Sequence, residues 1–228
     1  MIEIIGTSHI AKQSIDEITS HIKEKQPDIV AVELDKKRLY ALKNEIETKV
    51  SFKDISRIGF QGFLFTLLGS WAQKKLGNIV GIKPGSDMLA AVKEAQNIGS
   101  KIALIDQDIE MTLRNFSRNL TWKDKWHMFL DTFSRQYRQQ LKQMDLSKVP
   151  SDKLVETLLK QVKDRYPSIY KVLIEDRNHH MVSRLKRIQA GNPDAHILAI
   201  VGAGHKEGMQ SLLDNQDNQK SYTFTYSL

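Results

Sequence analysis

Short apolar runs that each stop at a polar residue are what most constrain this chain. Residues 2–5 (Ile-Glu-Ile-Ile), 29–32 (Ile-Val-Ala-Val) and 197–201 (Ile-Leu-Ala-Ile-Val) are rich in β-branched side chains and bounded by turn signals. Runs of this kind read as strands buried on both faces, as in a parallel sheet covered by helices. Residues 101–105 add another strand, which ends in Asp106. Between the first two strands, Ile15, Ile18 and Ile22 give residues 14–25 a helical stripe, and Pro27-Asp28 stops it. A further helix is expected from about Asp35. A β-α-β-α opening implies parallel strands joined by right-handed crossovers. The expected fold class is α/β, with a mostly parallel central sheet and flanking helices.

The length of 228 residues fits one domain, 1–228, with room for a sizeable core. A helical stretch is expected over 56–75, broken by Gly77, Gly81 and Pro84-Gly85. Ser86 is expected to N-cap a helix carrying Leu89, Val92 and Ala95 that Gly99 ends. Asp108 is expected to cap another through Met111, Leu113 and Phe116. Residues 121–190 are helical, charge-rich and free of strand signals. They read as a helical insertion on one side of the sheet, broken near Val149-Pro150 and Tyr166-Pro167. Within it Trp122, Trp126, Phe129, Phe133 and Tyr137 recur at helical spacing, the mark of a packing seam. Residues 202–205 read as a loop before a short helix, and 222–226 alternate like a final edge strand.

The chain has no cysteine. Disulfides and thiolate metal sites are excluded, and any metal must use His, Asp, Glu or water. The formal charge is +7, but the basic residues are scattered and no nucleic-acid-binding signature accompanies them, so no nucleic-acid partner is expected. The N-terminus lacks the charged leader of a signal peptide. The most apolar segment, 60–71, is shorter than the roughly 20 residues a spanning helix needs.

Two Gly-x-x-His elements carry the chemistry. Gly6-Thr7-Ser8-His9 follows the first strand and Gly202-Ala203-Gly204-His205 follows the last predicted buried one. Loops at the carboxyl ends of parallel strands converge on one crevice, where two histidines can share a metal or a water. Glu33 and Asp106 also fall at strand ends. A carboxylate closing a strand as apolar as 29–32 needs partners, either an ion pair with Arg38 or another arginine, or a role as metal ligand or base beside His9. On the helix expected over 169–189, Arg177, His180 and Arg184 fall inside the apolar face of Leu173, Ile174, Met181, Leu185 and Ile188. A guanidinium aimed at the core needs a carboxylate, such as Glu33, or a bound anion. The segment Pro84-Gly85-Ser86-Asp87 places amide groups at a helix N-terminus, where an anion can bind.

With these residues in order, the sequence resembles the TraB/PrgY/GumN family, which includes the Tiki proteases. The matching motifs are Gly6–His9, Val32-Glu33-Leu34-Asp35 with Arg38, Pro84-Gly85-Ser86-Asp87-Met88, Ile105-Asp106-Gln107-Asp108-Ile109 with Thr112-Leu113, Asp176-Arg177-Asn178 with Met181, and Gly202–His205. Asp87, Gln107 and Asp176 depart from the pattern of the TraB branch. The resemblance implies a fold like that of erythromycin esterase and the ChaN-like haem-binding proteins. It also implies a divalent ion, manganese or cobalt, as in the Tiki proteases, with zinc a further candidate for this chain, and a link to shutdown of bacterial peptide pheromones. Many relatives carry C-terminal membrane helices, so membrane association through a segment beyond this sequence is one expectation, and a cytoplasmic location is another.

The leading functional expectation is a metal-dependent hydrolase, peptidase-like, acting on a peptide or amide-like substrate. His9 and His205 hold the ion, with Glu33 as third ligand or base. Arg177 stabilises the oxyanion or anchors a substrate carboxylate, Asn178 orients one of these groups, and Arg38 and Ser86 are candidate anion contacts. The alternatives are a metal-independent hydrolase using histidine and glutamate, and a non-catalytic peptide-sequestering or regulatory protein whose helical insertion forms a groove or a homo-oligomer contact. Haem binding is a third option.

Overall fold

The computed structural model describes residues 1–7, 12–46, 85–124, 126–127 and 152–224. Strands β1 (Ile2–Thr7), β2 (Ile29–Val32), β3 (Lys101–Leu104) and β4 (Ile197–Gly202) form one sheet in the order β1-β4-β2-β3. Every pairing is parallel. The last strand in sequence therefore sits in the interior of the sheet, with Ile2 opposite Ile197 on one side and Ile29 opposite Ile197 on the other. The α-amino group of Met1 donates to the Ala195 carbonyl at 2.8 Å, fixing that register at its start.

Burial on both faces explains why the strand sequences hardly alternate. All six residues of β4 and all four of β2 are buried. Their side chains still divide by the two-residue period of the pleat. Ile197, Ala199 and Val201 join Ile29 and Ala31 on one face, against Met181, Val182 and Leu185 of α7 (Asp176–Gly191) and Met209 and Leu213 of α8 (Ala203–Phe224). Leu198 and Ile200 join Val30 and Val32 on the other, against Ile18 and Ile22 of α1 (Lys12–Lys25) and Met88, Ala91, Val92 and Ala95 of α3 (Ser86–Asn97). Helix α2 (Lys36–Lys43) is capped by the Asp35 carboxylate, which accepts from the amides of Lys37 and Arg38. Helix α4 (Ile109–Asn119) is capped by Asp108, as its sequence predicts.

Several sequence expectations are corrected. The N-cap of α3 is Gly85, not Ser86, which is the first helical residue. Gly85 has φ 86°, and a Cβ there would press on the Leu42 side chain at 3.1 Å. The turn into this helix thus requires glycine. Residues 202–205 are not a loop: β4 runs through Gly202, α8 starts at Ala203, and the helix is 22 residues long. It carries the chain as far as Phe224, so 222–224 are helical rather than an edge strand. An alternating pattern alone cannot make a strand without a partner to pair with, and the sheet takes none from this stretch. The single helix expected over 169–189 is α6 (Pro167–Tyr170), a π-helical turn (Lys171–Glu175) and α7. Arg184 is exposed rather than core-facing, because α7 buries only the stripe through Asn178, Met181, Val182 and Leu185. Trp122 and Trp126 are 83% and 62% exposed, not a buried seam. Phe129, Phe133 and Tyr137, the apolar segment 60–71 and the helix expected over 56–75 lie outside the described residues. Within 121–190 the described residues carry no strand; helix α5 (Asp152–Arg165) leads into Pro167, where the break was predicted. Among the described residues no helix is long and apolar enough to cross a membrane.

Two predictions follow from packing and charge. Leu185 is fully buried against the sheet, and Leu185→Ala should cost roughly 2–5 kcal/mol in urea denaturation. The second concerns Glu3 on β1, whose carboxylate accepts from the Nε2 of His21 on α1 at 3.0 Å and of His196, just before β4, at 3.2 Å. Burial works to raise the Glu3 pKa, but the bonds from His21 and His196 outweigh it and hold the carboxyl below its usual value. A depressed folded pKa gives stability that is present above the ordinary glutamate range and lost as the pH falls through the folded value. Glu3→Gln should therefore flatten the fall in stability below about pH 5, measured as thermal midpoint against pH.

Candidate functional site

The carboxyl ends of β2, β3 and β4 deliver the polar groups. Glu33 follows β2, Asp106 lies two residues past β3, and Gly202 ends β4. His205 lies in the first turn of α8, three residues after that glycine. Helix α7 supplies Arg177 and Asn178. The order β4-β2-β3 thus makes neighbours of groups that are up to 172 residues apart in sequence (205 minus 33).

Arg177 is the hub. Its Nε and Nη2 donate to the two oxygens of Asp106 at 3.0 and 2.8 Å, a bidentate pair. Nη2 also donates to Glu33 Oε1. Nη1 donates to the Leu173 carbonyl at 3.3 Å and to Nε2 of His205 at 2.9 Å. A guanidinium has five N–H donors, and these contacts engage all of them. The π-helical turn ends one residue before α7 begins, and the carbonyl that Arg177 reaches back to belongs to that turn. Such insertions recur at functional sites because they re-aim the residues that follow.

The hub also sets the state of His205. A guanidinium can only donate, so Nε2 of His205 accepts, and the ring proton sits on Nδ1. That Nδ1–H donates to Asn178 Oδ1 at 2.6 Å. The imidazole is therefore neutral and fixed in one tautomer from both sides. Its Nε2 lies 3.4 Å from Glu33 Oε1. With no proton on Nε2 this is a close approach rather than an ion pair. Glu33 Oε2 is held by the Gly202 amide at 2.6 Å, which orients the carboxylate.

Both acids that Arg177 holds are about 95% buried. Arg38 lies on the rim, with Nη1 3.7 Å from Asp106 Oδ2. Burial works against the charge of Arg177, but Glu33 and Asp106 outweigh it and hold the guanidinium above its usual pKa. Gln107, next to Asp106, donates to Thr112 at 2.7 Å.

The structure thus brings together Glu33, Arg177, Asn178 and His205 of the residues predicted from sequence, with Asp106. Arg38 approaches Asp106 rather than Glu33. Ser86 stands at the start of α3, whose next residue, the buried Asp87, accepts from Thr7 at the end of β1 at 2.6 Å. His9 lies outside the described residues. Its motif leaves the sheet beside the other, because Gly6 pairs with Val201 and Thr7 with Gly202. The Gly202 amide and the Leu173 carbonyl are backbone contributions that no side-chain pattern announces.

Among the described residues, no three histidine, aspartate or glutamate side chains are arranged to hold a metal ion. The Nε2 lone pair of His205 and the carboxylates of Glu33 and Asp106 all face Arg177, which puts a cation where a metal would have to sit. As described, these residues do not fit a divalent ion.

A parallel α/β sheet with a carboxylate–guanidinium–imidazole cluster at its carboxyl edge is the class of protein that the fold and site define. The chain belongs to the TraB/PrgY/gumN family, whose model matches residues 1–225. It is 35% identical over 218 residues to the uncharacterized protein MJ1365 of Methanocaldococcus jannaschii, covering 95% of this chain and 54% of that one. It is 24% and 23% identical over 237 residues to the TraB domain-containing proteins of Mus musculus and Homo sapiens, covering 91% of this chain and 61% of each. The chain thus spans little more than half the length of these relatives.

Removing the hub abandons two buried acids. Arg177→Met should destabilise the fold by about 3–5 kcal/mol at neutral pH. Arg177→Lys should recover only part of that loss in the same denaturation assay, since an ammonium cannot offer the guanidinium's fork.

Proposed function

We propose that this chain is a hydrolase of peptide or amide-like substrates that activates water at the Glu33–His205 pair. The observation that carries this reading is a neutral imidazole, fixed in one tautomer, with its basic nitrogen 3.4 Å from a buried carboxylate at the carboxyl end of the sheet. In this reading Arg177 first releases Nε2 of His205, and the water then gives a proton to that nitrogen while its oxygen bonds to the substrate carbonyl carbon. The imidazolium is stabilised by Glu33, and it returns the proton to the leaving nitrogen as the C–N bond breaks. The amides of the first turn of α8 offer the positive end of a helix to the developing oxyanion. Arg177 is assigned to positioning in this route. All its donors are already engaged, so it gains no contact with an oxyanion unless one is released.

A metal-dependent route is the second reading, favoured by the strand pairing that sends both Gly-x-x-His motifs off neighbouring strands at one end of the sheet. There His9, His205 and Glu33 would be the ligands, and Arg177 would have to release His205 and Glu33 first.

The test is cleavage of a peptide library by the wild type, His205→Ala and Glu33→Gln, in chelator and with added manganese, cobalt or zinc. The expected result is turnover that survives chelation and falls about 10²–10⁴-fold in either variant. Turnover abolished by chelator and restored by one ion would replace this route with the metal-dependent one. Tight peptide binding without cleavage in any condition would favour a sequestering or regulatory role.

A further inference from the structure

The Nδ1–H of His205 is held by Asn178, and the placement of Asn178 depends on an absence of atoms at Gly208. This glycine is one helical turn beyond His205 on α8, where that helix meets α7. A Cβ built at Gly208 would fall well inside van der Waals contact with Nδ2 of Asn178. Gly208 has no positive-φ backbone, unlike Gly85 and Gly99. Conformational freedom is thus no reason for glycine here, and in mid-helix glycine is a poor choice by propensity. Gly204, one turn earlier on the same helix, shows the contrast. A Cβ there would make ordinary contacts of 3.7 Å with Leu159.

We infer that Gly208 is a positioning residue for the site: it leaves the space in which the Asn178 amide lies, so that Oδ1 can hold the Nδ1–H of His205. The catalytic meaning of this inference rests on the hydrolase reading above; the steric relation itself does not. The atom displaced by a methyl group at Gly208 is the tip of a side chain, so the fold has a cheap way to yield. Asn178 swings aside, and His205 loses the acceptor that holds its Nδ1–H.

The experiment compares the full chain with Gly208→Ala, Asn178→Ala and the double variant. Nitrogen NMR of the imidazole reads the tautomer, and the His205 signals are assigned by their loss in His205→Ala. The wild type should show His205 with its proton on Nδ1. Gly208→Ala should weaken the hydrogen bond from Nδ1–H, seen as faster exchange of that proton with water, while keeping or raising the thermal midpoint, because alanine is the better helix former. Asn178→Ala should give the same signature, and the double variant should add nothing to it. If the wild type cleaves peptides, Gly208→Ala and Asn178→Ala should lower kcat by a similar factor, about 10²-fold. Nδ1–H exchange in Gly208→Ala as slow as in the wild type would overturn the inference, as would effects that add in the double variant. A loss of stability in Gly208→Ala supports it if Asn178→Ala relieves the loss, and overturns it if the loss persists in that background. The NMR arm requires no turnover, so an inactive wild type whose His205 still responds to Gly208→Ala would sink the hydrolase reading and keep this one.

Discussion

One cation holds the carboxyl end of the sheet together. Glu33 and Asp106 arrive on adjacent strands, and placing two buried acids side by side is unfavourable unless something neutralises them. Arg177 does this from a helix on one face of the sheet, and the same planar group that pairs with Asp106 reaches Glu33 and His205. The chemistry of the site follows from that contact. Because the guanidinium can only donate, it dictates which nitrogen of His205 is basic, and Asn178 completes the assignment from the opposite edge of the ring.

The strand order makes such a contact available. Inserting the last strand between β1 and β2 brings the Gly202 amide and the start of α8 beside Glu33. Each strand end then contributes something different: a carboxylate from β2, a second from β3, an amide and an imidazole from β4. The Thr7–Asp87 bond joins the end of β1 to the start of α3 at the same edge.

Much of this was legible in the residues themselves. Uniformly apolar runs marked β2 and β4 because burial on both faces leaves no room for alternation, and Glu33 stood out because it closes such a run. Arg177 stood out because it interrupts an apolar stripe. What could not be read is equally specific. The π-helical turn depends on a hydrogen-bond shift with no side-chain signature, and it re-aims the residues after it. Arg184 shares the helical spacing of Arg177 yet ends in solvent, beyond the buried stripe of Asn178, Met181, Val182 and Leu185. Ser86 looked like a cap by type, but the backbone before it needs a left-handed residue, and Gly85 takes that place. The alternation at 222–226 is strand-like only in isolation, and its described part, 222–224, is helical.

The interior position of β4 also governs when the molecule can come into being. Among the described residues β1 pairs only with β4, while β2 and β3 can pair without it. During synthesis the first strand must wait, its sheet edge unfilled, until about residue 202 has left the ribosome. Contacts that span so much of the chain slow folding, because the entropy of closing the loop is lost before any pairing repays it. The acids and the imidazole become neighbours only once β4 has taken its place beside β2.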